Sequence, residues 1–330
     1  MNSKKIKAIF VFIFFTVFLL LIFLDSSFST DYESYLKRIE NSLWYLMNSE
    51  TYFFDVINFL LNKTGISSTL HIKLIFTLNY LFFSYIAFKL LKYHSNFNLS
   101  SLKLFLIFLS FFIFLFSFEY LLIRLRAGMC ILLMFASFVY FLEKKYKLSI
   151  VLIISALLTH LLVAIVFFYA TYFLFFLKRK KYFELPVLVI SSILLVYSFY
   201  YLNYNSIRNS EFIYMPLSYY RAALYCVIPM FLILYINQKN NNFLINKSKN
   251  FSEIYLKMLF YFLLIVGLFT LTNGRLYIGE TTLRVYGVFS FIMLFLFFDK
   301  KSLKEKIVLN FYNLSINYLL FLKNYLYLLK

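Results

Sequence analysis

The stretch Glu119-Tyr-Leu-Leu-Ile-Arg-Leu-Arg-Ala-Gly-Met129 places one carboxylate and two guanidiniums between two strongly apolar segments. Further along the chain, Thr159–His160 interrupts another apolar run. Polar groups at membrane depth are costly, so a functional role is the first hypothesis for them. The stretch therefore separates two membrane-type segments and marks a band where polar chemistry is concentrated.

Composition supports this interpretation. The chain has 330 residues, of which 63% are hydrophobic, with 46 Phe and 30 Tyr. A soluble domain cannot bury that much apolar surface. Several runs do not alternate as barrel strands would, and they reach the ~18–20 residues that cross a bilayer. The sequence predicts an all-α, polytopic helical membrane protein with about ten transmembrane helices.

The net charge of +19 follows from lysine clusters between the apolar runs. On a membrane chain such clusters mark cytoplasmic loops, so we expect membrane lipids and no nucleic acid as partners. Cys130 and Cys226 lie in apolar segments and have no metal-ligand spacing. No P-loop, zinc or dinucleotide motif occurs, so the sequence predicts neither a metal nor a cofactor.

Charge and hydropathy together predict the topology. Lys4, Lys5 and Lys7 precede the apolar run 8–24, which lacks a cleavage pattern and reads as an uncleaved first helix with a cytoplasmic N-terminus. Residues 25–69 form an external loop whose segment 52–61 fits an interfacial helix. Further spans are predicted at 70–91, 101–122, 127–142, 184–203, 222–236, 254–271 and 285–298.

The apolar run 148–177 has basic segments on both sides. Both flanks should be cytoplasmic, which favours a hairpin of two short helices with Thr159–His160 at its buried turn. Residues 1–306 then form one polytopic membrane domain. Residues 307–330 form a cytoplasmic-side amphipathic tail or an extra span, and interrupting asparagines favour the tail.

Arginine distributes differently from lysine in this topology, because only Arg179 falls inside. Arginine binds phosphate through two donors at once, so an external cluster suggests an anionic ligand such as a lipid-linked phosphate. The alternative is structural pairing with Glu119, Glu211 and Glu280. The external members are Arg38, Arg124, Arg126, Arg208, Arg221, Arg275 and Arg284.

Other polar residues allow more than one interpretation. His160 is either a hydrogen-bonding residue between helices or a general base near neutral pH. Asp31 and Glu33 are either solvated loop charges, sugar-hydroxyl ligands or a metal site, and one Asp-x-Glu is weak support for the latter two. His71 and His94 are expected at the membrane interface.

These residues resemble a known family. Asp31-Tyr-Glu-Ser-Tyr35 is similar to the start of the first external loop in EpsG-like, Wzy-type polysaccharide polymerases. The block from Arg126-Ala-Gly-Met through Lys144-Lys-Tyr-Lys147 to Ala156-Leu-Leu-Thr-His160 resembles their central region, and Leu283-Arg284-Val-Tyr286 resembles their C-terminal arginine. The chain differs at Ala127, where many members have glutamine, and at Thr159, where an aromatic residue is common.

The resemblance implies a glycosyltransferase of polysaccharide biosynthesis that joins repeat units for O-antigen, capsule or exopolysaccharide. Its substrate would be an undecaprenyl-diphosphate-linked oligosaccharide, on the external face of the bacterial cytoplasmic membrane. A chain-length regulator protein is a partner that the resemblance allows. The implied catalytic residues are His160, Arg126 and Arg284; the implied substrate-binding residues are Arg124, Arg221, Arg275, Asp31, Glu33 and Tyr35.

Three alternatives remain at this point. A glycan ligase performs the same chemistry but typically has a larger late external loop than residues 204–220. A flippase or transporter of lipid-linked oligosaccharide should place charges along several spans and on both membrane faces. A membrane acyltransferase needs a cytoplasm-accessible His paired with Asp or Asn, which the sequence does not show.

Overall fold

The computed structural model describes residues 3–24, 32–48, 51–93, 113–114, 116–173, 186–194, 227–239, 242, 244 and 251–273. Every regular element within these ranges is helical and none is a strand, which confirms the predicted all-α class. Among the described helices, Ser68–Lys89 and Leu125–Leu142 are long and apolar enough to cross a membrane. The total of about ten spans stays a prediction, and the segments 285–298 and 307–330 lie outside the described residues.

The described residues divide into two compact units, one ending at Ile165 and one starting at Val166. The helices of the first unit follow the chain in this order: α1 Ser3–Ile22, α2 Tyr32–Glu40, α3 Ser42–Asn48, α4 Tyr52–Asn62, α5 Ser68–Tyr93, a π-helical segment Ser117–Ile123, α6 Leu125–Leu142 and α7 Tyr146–Thr159. Helix α8, Leu161–Phe168, crosses the boundary between the units.

Helix α6 is the centre of the first unit. Every residue from Cys130 to Val139 is buried, and the helix packs chiefly against α7 and α5. A tight turn at 143–145 joins α6 to α7, and the hydroxyls of Ser137 and Ser149 approach to 3.2 Å across the pair. The predicted fourth span is therefore present as a helix, and it is enclosed by protein on most sides.

The opening stretch of the sequence folds into an abrupt junction. The π-helical segment ends at Ile123, Arg124 leaves helical geometry with φ −100 and ψ 57, and α6 begins at Leu125. A Cβ atom added at Gly128 would collide with the Tyr120 carbonyl oxygen and would lie 3.1 Å from Leu121. Gly128 therefore lets the preceding segment lie directly on the first turns of α6.

Aromatic packing joins α1 to α5. The Tyr80 hydroxyl donates a 2.6 Å hydrogen bond to the Phe14 carbonyl oxygen, and the Phe14 ring lies 5.2 Å from that of Phe83. Phe18 stacks on Phe76 with ring centroids 6.1 Å apart. The opposite side of α1 is exposed, with Phe12 69% accessible. The first predicted helix is confirmed as a helix with one buried and one exposed apolar side.

The predicted interfacial helix at 52–61 is present as α4, and its polar residues point inward. Asp55 and Asn58 are buried, whereas Tyr52, Val56 and Leu60 are exposed. The segment before it, predicted only as a polar loop, contains the short helices α2 and α3. Helix α4 packs against α2, α3, α5 and α7, so the loop is an integral layer of the first unit.

One ion pair fixes this layer. The Arg38 Nη1 donates to both carboxylate oxygens of Asp55, at 3.0 and 3.2 Å, and to the Thr51 hydroxyl at 3.1 Å. The Thr51 hydroxyl donates to the second Asp55 oxygen at 2.7 Å. The Arg38 guanidinium also lies 4.6 Å from the centre of the Tyr45 ring. A buried carboxylate is thus satisfied by neighbours on α2 and at the start of α4.

A second charged cluster lies at the far end of α6. Glu143 pairs with Lys89 at 2.9 Å and with Lys145 at 3.0 Å. These hydrogen bonds, that from Lys89 first, lower the pKa of the Glu143 carboxyl below its ordinary value. The lysines lie at the end of α5 and in the α6–α7 turn, where the sequence predicts the cytoplasmic side.

The second unit contains the end of α8, a π-helical segment Tyr169–Phe173, helical residues 186–194, α9 Ile228–Lys239 and α10 Phe251–Asn273. The Tyr169 hydroxyl lies 3.0 Å from the hydroxyls of Ser191 and Ser192. The Asn237 side chain accepts a 2.7 Å hydrogen bond from the Leu244 amide after α9. The described parts of the segments 222–236 and 254–271 are helical and belong to α9 and α10; that these helices cross a membrane stays a prediction.

Replacement of Gly128 by alanine tests the close approach at the start of α6. Helix propensity alone would stabilise the variant by about 1 kcal/mol. We expect the opposite sign, a net loss of about 2 kcal/mol, because the blocking atom is backbone and cannot rotate away. The measurement is the melting temperature in detergent micelles. Ala127→Gly calibrates the propensity effect, and a Gly128→Ala protein that melts higher than wild type contradicts the packing.

Replacement of Asp55 by asparagine tests the ion pair. The amide keeps the shape but removes the charge opposite Arg38, so we expect a loss of about 2–3 kcal/mol. The cost stays below that of a fully buried pair because the Arg38 side chain is 18% exposed. Glu40→Gln, an exposed carboxylate on α2, is the matched control for melting in the same detergent. Equal melting temperatures for both variants would rule out a structural role for the pair.

Candidate functional site

The structure describes five of the nine predicted site residues. Glu33, Tyr35, Arg124, Arg126 and His160 belong to the first unit. Asp31, Arg221, Arg275 and Arg284 lie outside the described residues, so their placement stays a prediction.

Tyr35 and Arg126 meet although they are 91 positions apart. The Arg126 backbone amide donates to the Tyr35 hydroxyl at 3.4 Å. Arg126 is in the first turn of α6, where backbone amides have no partner within the helix. The hydroxyl therefore satisfies an amide that the helix leaves open, and it brings α2 to the N-terminal end of α6.

His160 lies near the same end of α6, where its backbone contacts Cys130. Cys130 follows Arg126 by four residues and so lies on the same side of α6. Its thiol is 3.4 Å from both the Ala156 and the His160 carbonyl oxygens, to which it can donate. Since α6 and α7 are joined by a tight turn and pack side by side, the start of α6 and the end of α7 coincide in depth. The structure thus brings the Tyr35 hydroxyl and the backbones of Arg126 and His160 to the same end of the α6–α7 pair.

The backbone at His160 leaves helical geometry. Its φ of −160 and ψ of 92 are extended, so α7 ends at Thr159 and α8 begins at Leu161. Hydrogen bonds from the His160 amide to Ala156 and from the Ala164 amide to His160 continue across the break, at 2.9 and 3.0 Å. The predicted interruption is confirmed, but it is a single residue and not a loop. The reversal of direction that a hairpin requires stays a prediction.

Glu33 and Arg124 are placed differently from Tyr35 and Arg126. Glu33 is exposed on the first turn of α2. Residues two positions apart in a helix do not share a face, so Glu33 and Tyr35 point in different directions. Arg124 is half-buried at the junction before α6, and its carbonyl accepts the Gly128 amide at 2.9 Å. The structure does not place Glu33 beside the Tyr35–Arg126 contact, so contact of Glu33 with a sugar stays a prediction.

The sequence analysis missed Asp55 and Thr51, which adjoin this group. Phe54 packs on the Tyr35 ring at 5.9 Å, and the next residue, Asp55, pairs with Arg38. Arg38 follows Tyr35 by three residues on α2, so the ion pair lies one helical turn from the Tyr35–Arg126 contact. The sequence did contain a signal for this pair, namely an aspartate within the amphipathic segment 52–61. Arg38 has a structural partner, but it is Asp55 and none of the three glutamates that the sequence suggested.

The described chain is an all-helical protein with membrane-type helices and a polar group of residues at one end of the α6–α7 pair. Within the described residues no set of three His, Cys, Asp or Glu side chains could hold a metal ion. The sequence matches no protein-family model, and no curated protein or solved structure shows significant similarity to it.

Enlargement of Cys130 tests the link between α6 and the break at His160. Cys130→Ser keeps the size and the donor, so we expect wild-type melting. Cys130→Leu should cost about 1–3 kcal/mol because the site is fully buried. It should also increase amide exchange in residues 156–164. Val151→Leu, at an exposed position of α7, is the volume control, and unchanged exchange in Cys130→Leu would show that Cys130 does not support the break.

Proposed function

We propose that this chain is a polysaccharide polymerase that joins lipid-diphosphate-linked oligosaccharide repeat units outside a bacterial cytoplasmic membrane. The observation that supports the proposal most is the convergence of Tyr35, Arg126 and His160, three residues of the family-like motifs, at one end of α6 and α7. The motifs are far apart in sequence, and the resemblance assigns all three residues to one site.

The proposed chemistry is a glycosyl transfer. A hydroxyl of the acceptor glycan attacks the anomeric carbon of the donor, the bond from that carbon to the diphosphate oxygen breaks, and the lipid diphosphate leaves. His160 takes the hydroxyl proton as general base. Arg126 and Arg284 stabilise the charge that develops on the diphosphate, assisted by Arg124, Arg221 and Arg275. Tyr35, with Asp31 and Glu33, contacts sugar.

The membrane topology is part of the proposal. We infer about ten crossings, with the N-terminus in the cytoplasm and the site facing the periplasm or exterior. Two features support it. The large exposed apolar side chains of α1 suit contact with lipid, and the Lys89–Glu143–Lys145 cluster lies at the opposite end of α6 from Arg126. Lysine and arginine thus separate along one helix as the positive-inside rule and an external anion site require.

The test is polymer formation in cells that lack the chromosomal gene. We expect Arg126→Ala and His160→Ala to abolish the polymer ladder while single repeat units still accumulate outside the membrane. Arg126→Lys should restore little, because lysine cannot bind a phosphate through two parallel donors. Membrane levels of each variant are measured by immunoblot.

Lys147→Ala, an exposed basic residue at the start of α7, is the matched control and should leave the ladder intact. Full-length polymer in both the Arg126→Ala and the His160→Ala strains refutes the assignment. Loss of external single units as well as polymer would favour a flippase.

A further inference from the structure

Three polar side chains of the α4–α5 region are buried without a hydrogen-bond partner among the described residues. They are His71 with both ring nitrogens, Asn58 with its carbonyl oxygen and Asn79 with its amide nitrogen. His71 is 0% exposed and Asn58 is 1% exposed. That His71 lies at the depth of the membrane interface stays a prediction; the structure buries its side chain within the protein. Buried polar groups are nearly always paired, so these exceptions require an explanation.

Asn58 and His71 lie close to the connection between two consecutive helices. Helix α4 ends at Asn62, α5 begins at Ser68, and the two helices contact each other. Asn58 is four residues before the end of α4 and His71 is three residues after the start of α5, so they are ~6 Å and ~4.5 Å from those helix ends. We define the α4–α5 seam as the place where these two side chains enter the interior.

The α4–α5 seam adjoins the candidate site. Asn58 follows Phe54 by one helical turn, and Phe54 packs on the Tyr35 ring, whose hydroxyl accepts the Arg126 amide. Asp55 is the charged residue nearest to Asn58 on α4, and its carboxylate is already hydrogen-bonded to Arg38 and Thr51. What remains available for a ligand is neutral: an amide oxygen that accepts, and an imidazole that donates and accepts.

We propose that the α4–α5 seam binds a sugar residue of the glycan, with the side chains of Asn58 and His71 hydrogen-bonded to its hydroxyls. A hydroxyl group both donates and accepts, which matches this pair, whereas a phosphate or carboxylate would lack a cation there. The charged diphosphate lies at Arg126 and the neutral sugar at the seam, and Tyr35 and Phe54 connect the two places. This proposal rests on the proposed function and names its sugar subsite.

Entry of a sugar requires α4 to move from α5, since both side chains are closed off. The connecting turn is suited to that movement. Gly65 has a φ of +72 and nothing within 4 Å of its Cβ position, so the turn is open and contains a residue with a wide conformational range. The ligand would then supply the hydrogen bonds that the closed packing lacks, which favours the open state only when sugar is bound.

The experiment measures sugar binding to the full-length protein in nanodiscs, independently of polymerisation. Trp44 is the only tryptophan of the chain and lies on α3, which packs against α4. Its fluorescence is titrated with a panel of methyl glycosides of hexoses and N-acetylhexosamines, with glycerol as the solvent control. We expect a saturable change for at least one glycoside, and about tenfold weaker binding in His71→Phe and in Asn58→Leu, one hydrogen bond each.

The matched control is Asn79→Leu, which removes the third unpartnered side chain two turns farther along α5. It should keep wild-type binding, and all three variants should melt at or above the wild-type temperature because each removes an unpaired buried polar group.

Each contrary result overturns the subsite. These results are no response of the wild type to any glycoside, equal loss in Asn79→Leu, or lower melting of His71→Phe and Asn58→Leu, which would indicate structural roles. Sugar binding that persists in a protein whose deletion leaves polymer intact would refute the polymerase and retain the subsite.

Discussion

The close contact between Gly128 and the Tyr120 carbonyl determines where the polar residues of this protein can meet. It presses the segment before Arg124 onto the first turn of α6 and leaves no room for a methyl group between them. With that end of α6 fixed, the Arg126 amide reaches Tyr35 and the Cys130 thiol reaches the end of α7. A wider junction would move Arg126 away from both neighbours, because helix α6 is buried along most of its length and cannot compensate by tilting.

Charge pairing and site chemistry are separable in the first unit. Arg38 has a carboxylate, a hydroxyl and an aromatic ring as neighbours, which accounts for its charge without any ligand. The cost of desolvating two ions offsets much of the Coulombic attraction between them, so the pair mainly fixes geometry. It ties α2 to α4 beside Tyr35. The arginines that the sequence predicts to be external therefore divide into at least one that orders the scaffold and others that the proposal assigns to phosphate.

Much of this arrangement could be predicted from sequence, and the reasons for the remainder are physical. Hydropathy located α1, α4, α5, α6, α7 and α10 within a few residues, because burial in lipid or protein requires the same apolar runs. The break at His160 followed from a polar residue within such a run. The π-helical segment and the contact at Gly128 could not be predicted, since neither has a periodic signature in one sequence. The burial of His71 was missed because the short helices α2 and α3, which help enclose this region, were assigned to a polar external loop.

The inward-facing Asp55 and Asn58 of α4 have a consequence for how a glycan could be recognised at a membrane surface. An interfacial helix ordinarily turns its apolar side to the acyl chains and its polar side to water. Helix α4 keeps the first half of that rule, with Tyr52, Val56 and Leu60 exposed, but its polar side faces α5 and α2. Hydrogen bonds formed there are shielded from competing water, so a sugar hydroxyl gains more than it would at an open surface. The same shielding favours a neutral amide and imidazole over further charges at this place. An unpaired ion buried there would lose more solvation free energy than hydrogen bonds to one sugar could restore.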